Sequence, residues 1–303
     1  MTSGSQLKIK ISKSRKKEIL IAYLFLAPAI IGFLWFNLYP TLMSVYMSFF
    51  KWNVSMKHSF YGFGNYVYAF TKDPDFWTGV GTTLLYSVLA VAISLVLGFI
   101  LAAMLNRPRK TTGLFRTIFY MPCMVAAGAP IMMVWQWILG GNGTVNTLLS
   151  KIGVQGPNWI SAYPWTLVTC LIIGTWALGG MVIIFIAGLK GISVEYYESA
   201  EIDGAGYFQK TFKITIPMLS PIILYNVLIS LITSLQTFTV VYLLRTNGAN
   251  IKFWAVNIYD QAFRNGSYGY ASAQASLLFV VVLLLSLLIF VTSGKWVFYG
   301  DES

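Results

Sequence analysis

Six stretches of this chain run apolar for long enough to cross a bilayer, and nothing else in it narrows the possible folds as much. They are Ile19–Leu38, Thr82–Leu105, Ile118–Leu139, Trp165–Leu189, Pro221–Leu244 and Ala271–Val291. A hydrocarbon core about 30 Å thick needs roughly 20 helical residues. In lipid the backbone has to satisfy its own hydrogen bonds, which leaves helices or closed barrels. The runs are much longer than a barrel strand and lack its alternation. The sequence therefore predicts an all-α polytopic membrane protein with six spans. With 57% apolar and 10% charged residues, the chain also lacks the polar surface of a soluble fold.

Orientation follows from the basic residues that flank the spans. Lys8, Lys10, Lys13, Arg15, Lys16 and Lys17 precede the first span. Arg107, Arg109, Lys110 and Arg116 lie around the second connection, Lys190, Lys210 and Lys213 in the fourth, and Lys295 after the last span. Half as many occupy the opposite connections, so both termini are expected in the cytosol. The formal charge of +11 is spread beside membrane spans and forms no continuous basic stripe, so anionic headgroups are the expected partner and nucleic acid is not. The "APA" at Ala27–Ala29 resembles a signal cleavage site, but the apolar run continues past it, so a retained first span is expected. The lone His58 falls in an outer connection, and Cys123 and Cys170 fall inside spans, so no metal site and no disulfide are expected.

No Asp, Glu, Lys, Arg or His occupies the middle of any span. Ion-coupled carriers and proton pumps usually keep such a group as a relay. A phosphate-binding loop, an HExxH helix and a cysteine–histidine cluster are missing too, so this chain is expected not to be an enzyme and to hold no cofactor of its own. Energy for active transport would have to come from another polypeptide. On the fifth span Asn226, Ser230, Thr233, Ser234 and Thr237 recur at helical spacing, which places one amide and four hydroxyls on one stripe. The stripe either packs on a neighbouring span, with hydroxyls bonded back to the helix, or lines a path for an uncharged polar solute.

The fourth connection carries "EYYESAEIDGAG", which holds four of the chain's 10 acidic residues. It is too long for a simple helix–helix turn. Ser193 can cap a short helix, Glu195 sets negative charge against its positive end, and Gly204 or Gly206 can stop it. A second short helix over Tyr207–Ile214 is expected to end before Pro217. Val194, Tyr197 and Glu201 share one side of the first helix with Glu198 beside them, while Ser199 and Ala200 are small enough for close approach. The result is an acidic, aromatic knob, either a solvated loop or a plug for a groove on a cytosolic partner.

The stretch "ESAEIDGAGYFQKTFKITIP" resembles the EAA signature of membrane subunits of binding-protein-dependent ABC importers: E-A-A, three residues, G, nine residues, I-x-L-P. Glu198, Ser199, Ala200, Gly204, Ile214, Ile216 and Pro217 stand at those positions, with Ser199 for the first alanine and Ile216 for the leucine. "LFRTIFYMPCMVAAGAPIMMVWQWIL", "FGNYVYAFTKDPDFWTGVGTTLLYS" and "YLLRTNGAN" are similar to the carbohydrate importers of the maltose and glycerol-phosphate type. Where that group continues with glycine and proline, this chain has Ala249-Asn250. The large outer insertion of the maltose protein is missing, so the resemblance favours a generic oligosaccharide permease.

The resemblance implies a type I ABC importer permease fold. Residues 1–18 would be a cytoplasmic basic tail and 19–77 the first transmembrane helix with an external interfacial segment. Residues 78–293 would be the type-1 core with its coupling loop at 190–217, and 294–303 a cytoplasmic tail. It further implies that Tyr197, Glu198, Ser199, Ala200, Asp203, Gly204 and Pro217 couple to a cytosolic ATPase. Family sugar contacts map near Ser230, Ser234 and Thr237, and near Trp176 and Gly180 on the fourth span. The implied partners are a second homologous permease, two ATPase subunits that hold ATP and magnesium, an extracellular or periplasmic solute-binding protein, a sugar and membrane lipid, all at the plasma membrane. The competing reading is a stand-alone secondary carrier for a neutral polar solute.

Overall fold

The computed structural model describes residues 13–55, 58–106, 112–124, 129–246 and 248–298. Helix α1 (Lys13–Phe33) passes through a π turn at Leu34–Leu38 into α2 (Tyr39–Ser48). The turn sits directly before Pro40, whose ring and missing N–H interrupt the regular ladder. Two short strands, β1 (Phe50–Trp52) and β2 (His58–Phe60), follow as an antiparallel ribbon, then α3 (Gly64–Thr71), α4 (Pro74–Asn106), α5 (Thr112–Met124) and α6 (Ala129–Leu139). Next come α7 (Thr144–Lys151), α8 (Trp165–Thr175), α9 (Gly179–Gly191), α10 (Val194–Ile202) and α11 (Tyr207–Lys210). A π turn at Thr211–Thr215 leads into α12 (Ile216–Met218), α13 (Ser220–Leu235), α14 (Thr239–Thr246) and α15 (Trp254–Tyr259). A last π turn, Asp260–Arg264, precedes α16 (Tyr268–Ser293).

Among the described residues, four helical stretches are long and apolar enough to cross a membrane: Lys17–Ser48, Pro74–Asn106, Ser220–Thr246 and Tyr268–Ser293. Helices α8 and α9 make a fifth when taken together, bent by 51° at their junction. The expected third span, Ile118–Leu139, includes residues 125–128, which lie outside the described residues. Each observed span matches an apolar run of the sequence and extends beyond most of them, because a helix continues through flanking polar residues once its ladder is formed.

Helix α4 is the hub, packed against α13, α9, α8 and α15, while α16 lies along α13 and α2. Its start is set by Asp73 and Pro74. The buried Asp73 carboxylate accepts from the backbone N–H groups of Asp75 (2.9 Å) and Phe76 (3.2 Å), and proline fits the first helical position because its absent N–H is not needed there. The other carboxylate oxygen of Asp73 accepts from the Tyr270 hydroxyl at 2.6 Å, which ties the starts of α4 and α16 together. The apolar core has a cluster around Phe76, Leu235, Trp254 and Tyr270 at this end and another around Ala102, Val182 and Phe185 towards the acidic loop. The rod from Lys17 to Ser48 buries none of its most apolar window inside the chain, so its side chains are left for lipid or another subunit.

The ribbon does not belong to the six-helix reading. Phe50 pairs with Phe60 and Trp52 with His58, and the Trp52 and His58 rings stack at 4.7 Å. Cross-strand aromatic pairs stabilise such short strands, and they form only once α2 and α3 bring the strands together. Asn65 helps by donating to the carbonyls of Ser48 (2.7 Å) and Phe50 (2.9 Å). Cys170 is buried in α8, the Cys123 thiol donates to the Ala177 carbonyl at 3.1 Å, and both are free thiols.

Candidate functional site

The acidic loop folds as two short helices. The Ser193 hydroxyl accepts from the Glu195 N–H at the start of α10. At the other end Gly204 has φ +76°, its N–H donates to the Glu201 carbonyl (3.0 Å), and the Ala205 N–H reaches back to the Ala200 carbonyl (2.8 Å). This pair of bonds is a Schellman motif, which needs a left-handed residue at that point and so selects glycine. Gly204, not Gly206, is the stop; Gly206 begins α11, where its N–H donates to the Gln209 side chain at 3.0 Å.

The expected helix Tyr207–Ile214 begins where predicted and then widens into the π turn at Thr211–Thr215. Pro217 follows within the first turn of α12, and the wider turn lets the chain pass it without ending. Tyr197 faces into the loop: its hydroxyl lies 2.9 Å from that of Thr215. Lys210 pairs with Glu201 at 3.2 Å. Glu198, Ser199, Asp203 and Gly204 are exposed, Ala200 is half-buried, and Ile202, Phe208 and Phe212 present apolar surface beside them. The loop is thus a braced knob with an acidic and apolar outer face.

A cavity of about 290 Å³ lies between α4, the α8–α9 bend and α13. Ser230, Thr233, Ser234 and Thr237 line it from the fifth span, opposite Tyr86 and Ser94 of α4 and Gly174, Ala177 and Met181 of the fourth. Among the described residues, none that lines it is charged. Thr233 donates to Ile229 O (2.8 Å), Ser234 to Leu231 O (3.0 Å) and Thr237 to Thr233 O (3.3 Å), so their oxygens remain as acceptors. Both spans are interrupted beside the cavity, the fourth over residues 176–178 and the fifth over 236–238. Irregular backbone at membrane depth is tolerated where it lines a cavity.

Three candidates lie elsewhere. Asn226 is buried and donates to Ile222 O at 2.9 Å, an interaction within its own helix. Trp176 is half-exposed, packs edge-on against Trp135 (ring centroids 5.3 Å apart) and lines a neighbouring apolar groove. At Gly180 a Cβ would meet open space. Its neighbour Gly179 is the constrained one, since a Cβ there would sit 2.7 Å from Phe119 O and 2.9 Å from Tyr120 Cα; glycine is what lets α9 lie on α5. Sequence reasoning missed Tyr86 and Gly174, which fit each other: a Cβ on Gly174 would fall 2.7 Å from the Tyr86 hydroxyl. A lone tyrosine and a lone glycine in apolar spans carry no periodic signal that could have found them.

This architecture is shared with solved transporters. A bacterial ABC transporter involved in the import of the acidic polysaccharide alginate superposes with a TM-score of 0.78 at 24% identity, covering 93% of this chain and 98% of that one. Together, the helical bundle, the braced loop and the superposition define the fold as that of a type I ABC importer permease. The chain belongs to the family described as binding-protein-dependent transport system inner membrane component, whose model matches residues 94–297. The probable ABC transporter permease protein YesP of Bacillus subtilis (strain 168) is 34% identical over 100% of this chain and 99% of its own length. The lactose transport system permease protein LacF of Rhizobium radiobacter is 36% identical over 88% of this chain and 92% of its own.

Proposed function

We propose that this chain is one permease subunit of an ATP-driven importer that carries a sugar or oligosaccharide across the plasma membrane. The observation that carries the reading is the charge-free, hydroxyl-lined cavity at the meeting of two interrupted spans. Neutral donors and acceptors suit an uncharged polyol, and the interrupted spans are the kind of backbone that lines a solute path. The lactose-permease relative supports the same cargo class. Ser230, Thr233, Ser234 and Thr237 are the proposed contacts; Trp176 would act from the neighbouring groove, Gly180 by the open space it leaves, and Asn226 by holding its helix.

In this reading the chain crosses the membrane six times with both termini in the cytosol, which puts the acidic knob on the cytosolic side. There Glu198, Ser199, Ala200, Asp203 and the stop at Gly204 would meet a groove of an ATPase subunit, with Tyr197 and Pro217 bracing the knob from behind. ATP and magnesium would be bound by two such subunits, a second homologous permease would complete the pore, and an external solute-binding protein would deliver the cargo.

The test is reconstitution. The chain is co-expressed with its neighbouring permease, ATPase and binding-protein genes and placed in proteoliposomes. ATP-dependent saccharide accumulation that requires the binding protein is the expected result. Ion-gradient-driven uptake by the purified chain alone, with no ATPase copurifying, would overturn it.

A further inference from the structure

Four aromatic rings form a column at the end of the bundle remote from the acidic loop. Phe238 and Tyr242 stack with centroids 5.3 Å apart. Tyr259 meets both, at 5.2 Å and 5.1 Å, so these three rings touch one another at the inner end of the column, and Phe263 lies 4.9 Å from Tyr259. At one end Phe238 lies in the chain between the wall residues Thr237 and Val240, though its ring does not itself line the cavity. The other end is open: Phe263 is 69% exposed.

A polar rim accompanies the rings. Asp260 is held between Arg245 (2.5 Å) and Arg264 (3.2 Å), and the Arg264 guanidinium lies 5.9 Å from the Tyr242 ring centre. Asp260, Phe263 and Arg264 all belong to the π turn Asp260–Arg264, a conformation that is rare and concentrates at functional sites. Phe238, Tyr242 and Tyr259 are half-buried, the first two against the core, while Phe263 stands open, so packing alone does not account for all four rings. Rings that served only as a lipid belt would have no use for a carboxylate clamped by two guanidinia beside them. Flat apolar faces bordered by directed donors and acceptors match a molecule that is apolar on one face and hydroxylated at its edge.

We propose that this column is a hand-over track, on which a saccharide ring released by the binding protein stacks before it reaches the hydroxyl-lined cavity. Phe263 is the first station and Phe238 the last, with Arg264 and Asp260 as partners for ring hydroxyls. The inference rests on the saccharide reading above.

The experiment uses the full reconstituted complex with binding protein and labelled lactose, maltose and arabinotriose as probes. It measures saccharide imported per ATP hydrolysed in wild type, Phe263→Leu and Phe263→Tyr. Leucine keeps apolar bulk and loses the flat face, and at so exposed a position it leaves folding intact. The expected result for Phe263→Leu is unchanged stimulation of ATP hydrolysis by loaded binding protein, with import per ATP falling about three- to tenfold, the range of one aromatic contact. Phe263→Tyr should match wild type. Wild-type import by the leucine variant overturns the track, and so does a parallel fall in ATP hydrolysis, which would make this face a dock for the binding protein. Wild type importing none of the probes would instead remove the saccharide reading itself.

Discussion

Gly204 offers a direct test of how the loop works, because its requirement is purely conformational. Nothing stands within 4 Å of where its Cβ would be, yet φ is +76°. Gly204→Ala therefore introduces no collision, only the cost of holding an ordinary residue in the left-handed region, about 1–2 kcal/mol. That cost weighs on the ordered loop alone, so the population able to dock falls by up to roughly 5- to 30-fold. The assay is titration of detergent-solubilised permease with the ATPase subunit, followed by transport per ATP. Apparent affinity should drop by up to that factor while membrane insertion is unchanged, and excess ATPase should restore transport. Gly204→Asn should lose much less, since asparagine tolerates this conformation. Equal binding by the alanine variant and wild type, or an asparagine variant as weak as alanine, would refute the argument that the Schellman stop holds the coupling surface.

Ser234→Leu and Thr237→Leu should each cut saccharide uptake by roughly tenfold, the effect of one lost hydrogen-bonding position with the space filled, while ATPase copurification persists. Glu198→Lys should weaken ATPase copurification, and raising the ionic strength should narrow the gap from wild type, because the contact is an exposed charge. Asp73→Ala removes the cap of α4 and strands the Tyr270 hydroxyl, so thermal unfolding in detergent should show a loss of about 2–4 kcal/mol. Combining it with Tyr270→Phe should add little, since the two share one bond.

Much of the coupling loop was legible before folding because its signals are local. Ser193 caps, Gly204 or Gly206 stops, and spacing alone places the acids on a short helix; the left-handed φ at Gly204 made the choice between the two glycines. The inward turn of Tyr197 was not legible, since Thr215 is 18 residues away and reaches it only after the chain has doubled back. The cavity divides in the same way. Helical period put Asn226, Ser230, Thr233, Ser234 and Thr237 on one stripe, and four of them do line one space. Asn226 drops out because it is buried in the packing of α13 and bonds to Ile222 O of its own helix, which only the tertiary structure could reveal.

What the sequence determined by itself is where the chain prefers helix in an apolar medium and, where a cap or a glycine marks it, where a short helix begins or ends. Those preferences are sums over neighbouring residues, so length, hydropathy and caps suffice to read them. Tertiary structure alone decided which faces meet, where the fourth span bends and which rings form the far-end column. In a soluble helix the apolar stripe announces the buried face, but here lipid and protein interior are both apolar, so hydropathy says little about which way a helix turns. The facing was settled instead by matched shapes, such as Gly179 against the backbone of α5 and Gly174 against Tyr86, which exist only between segments distant in the chain.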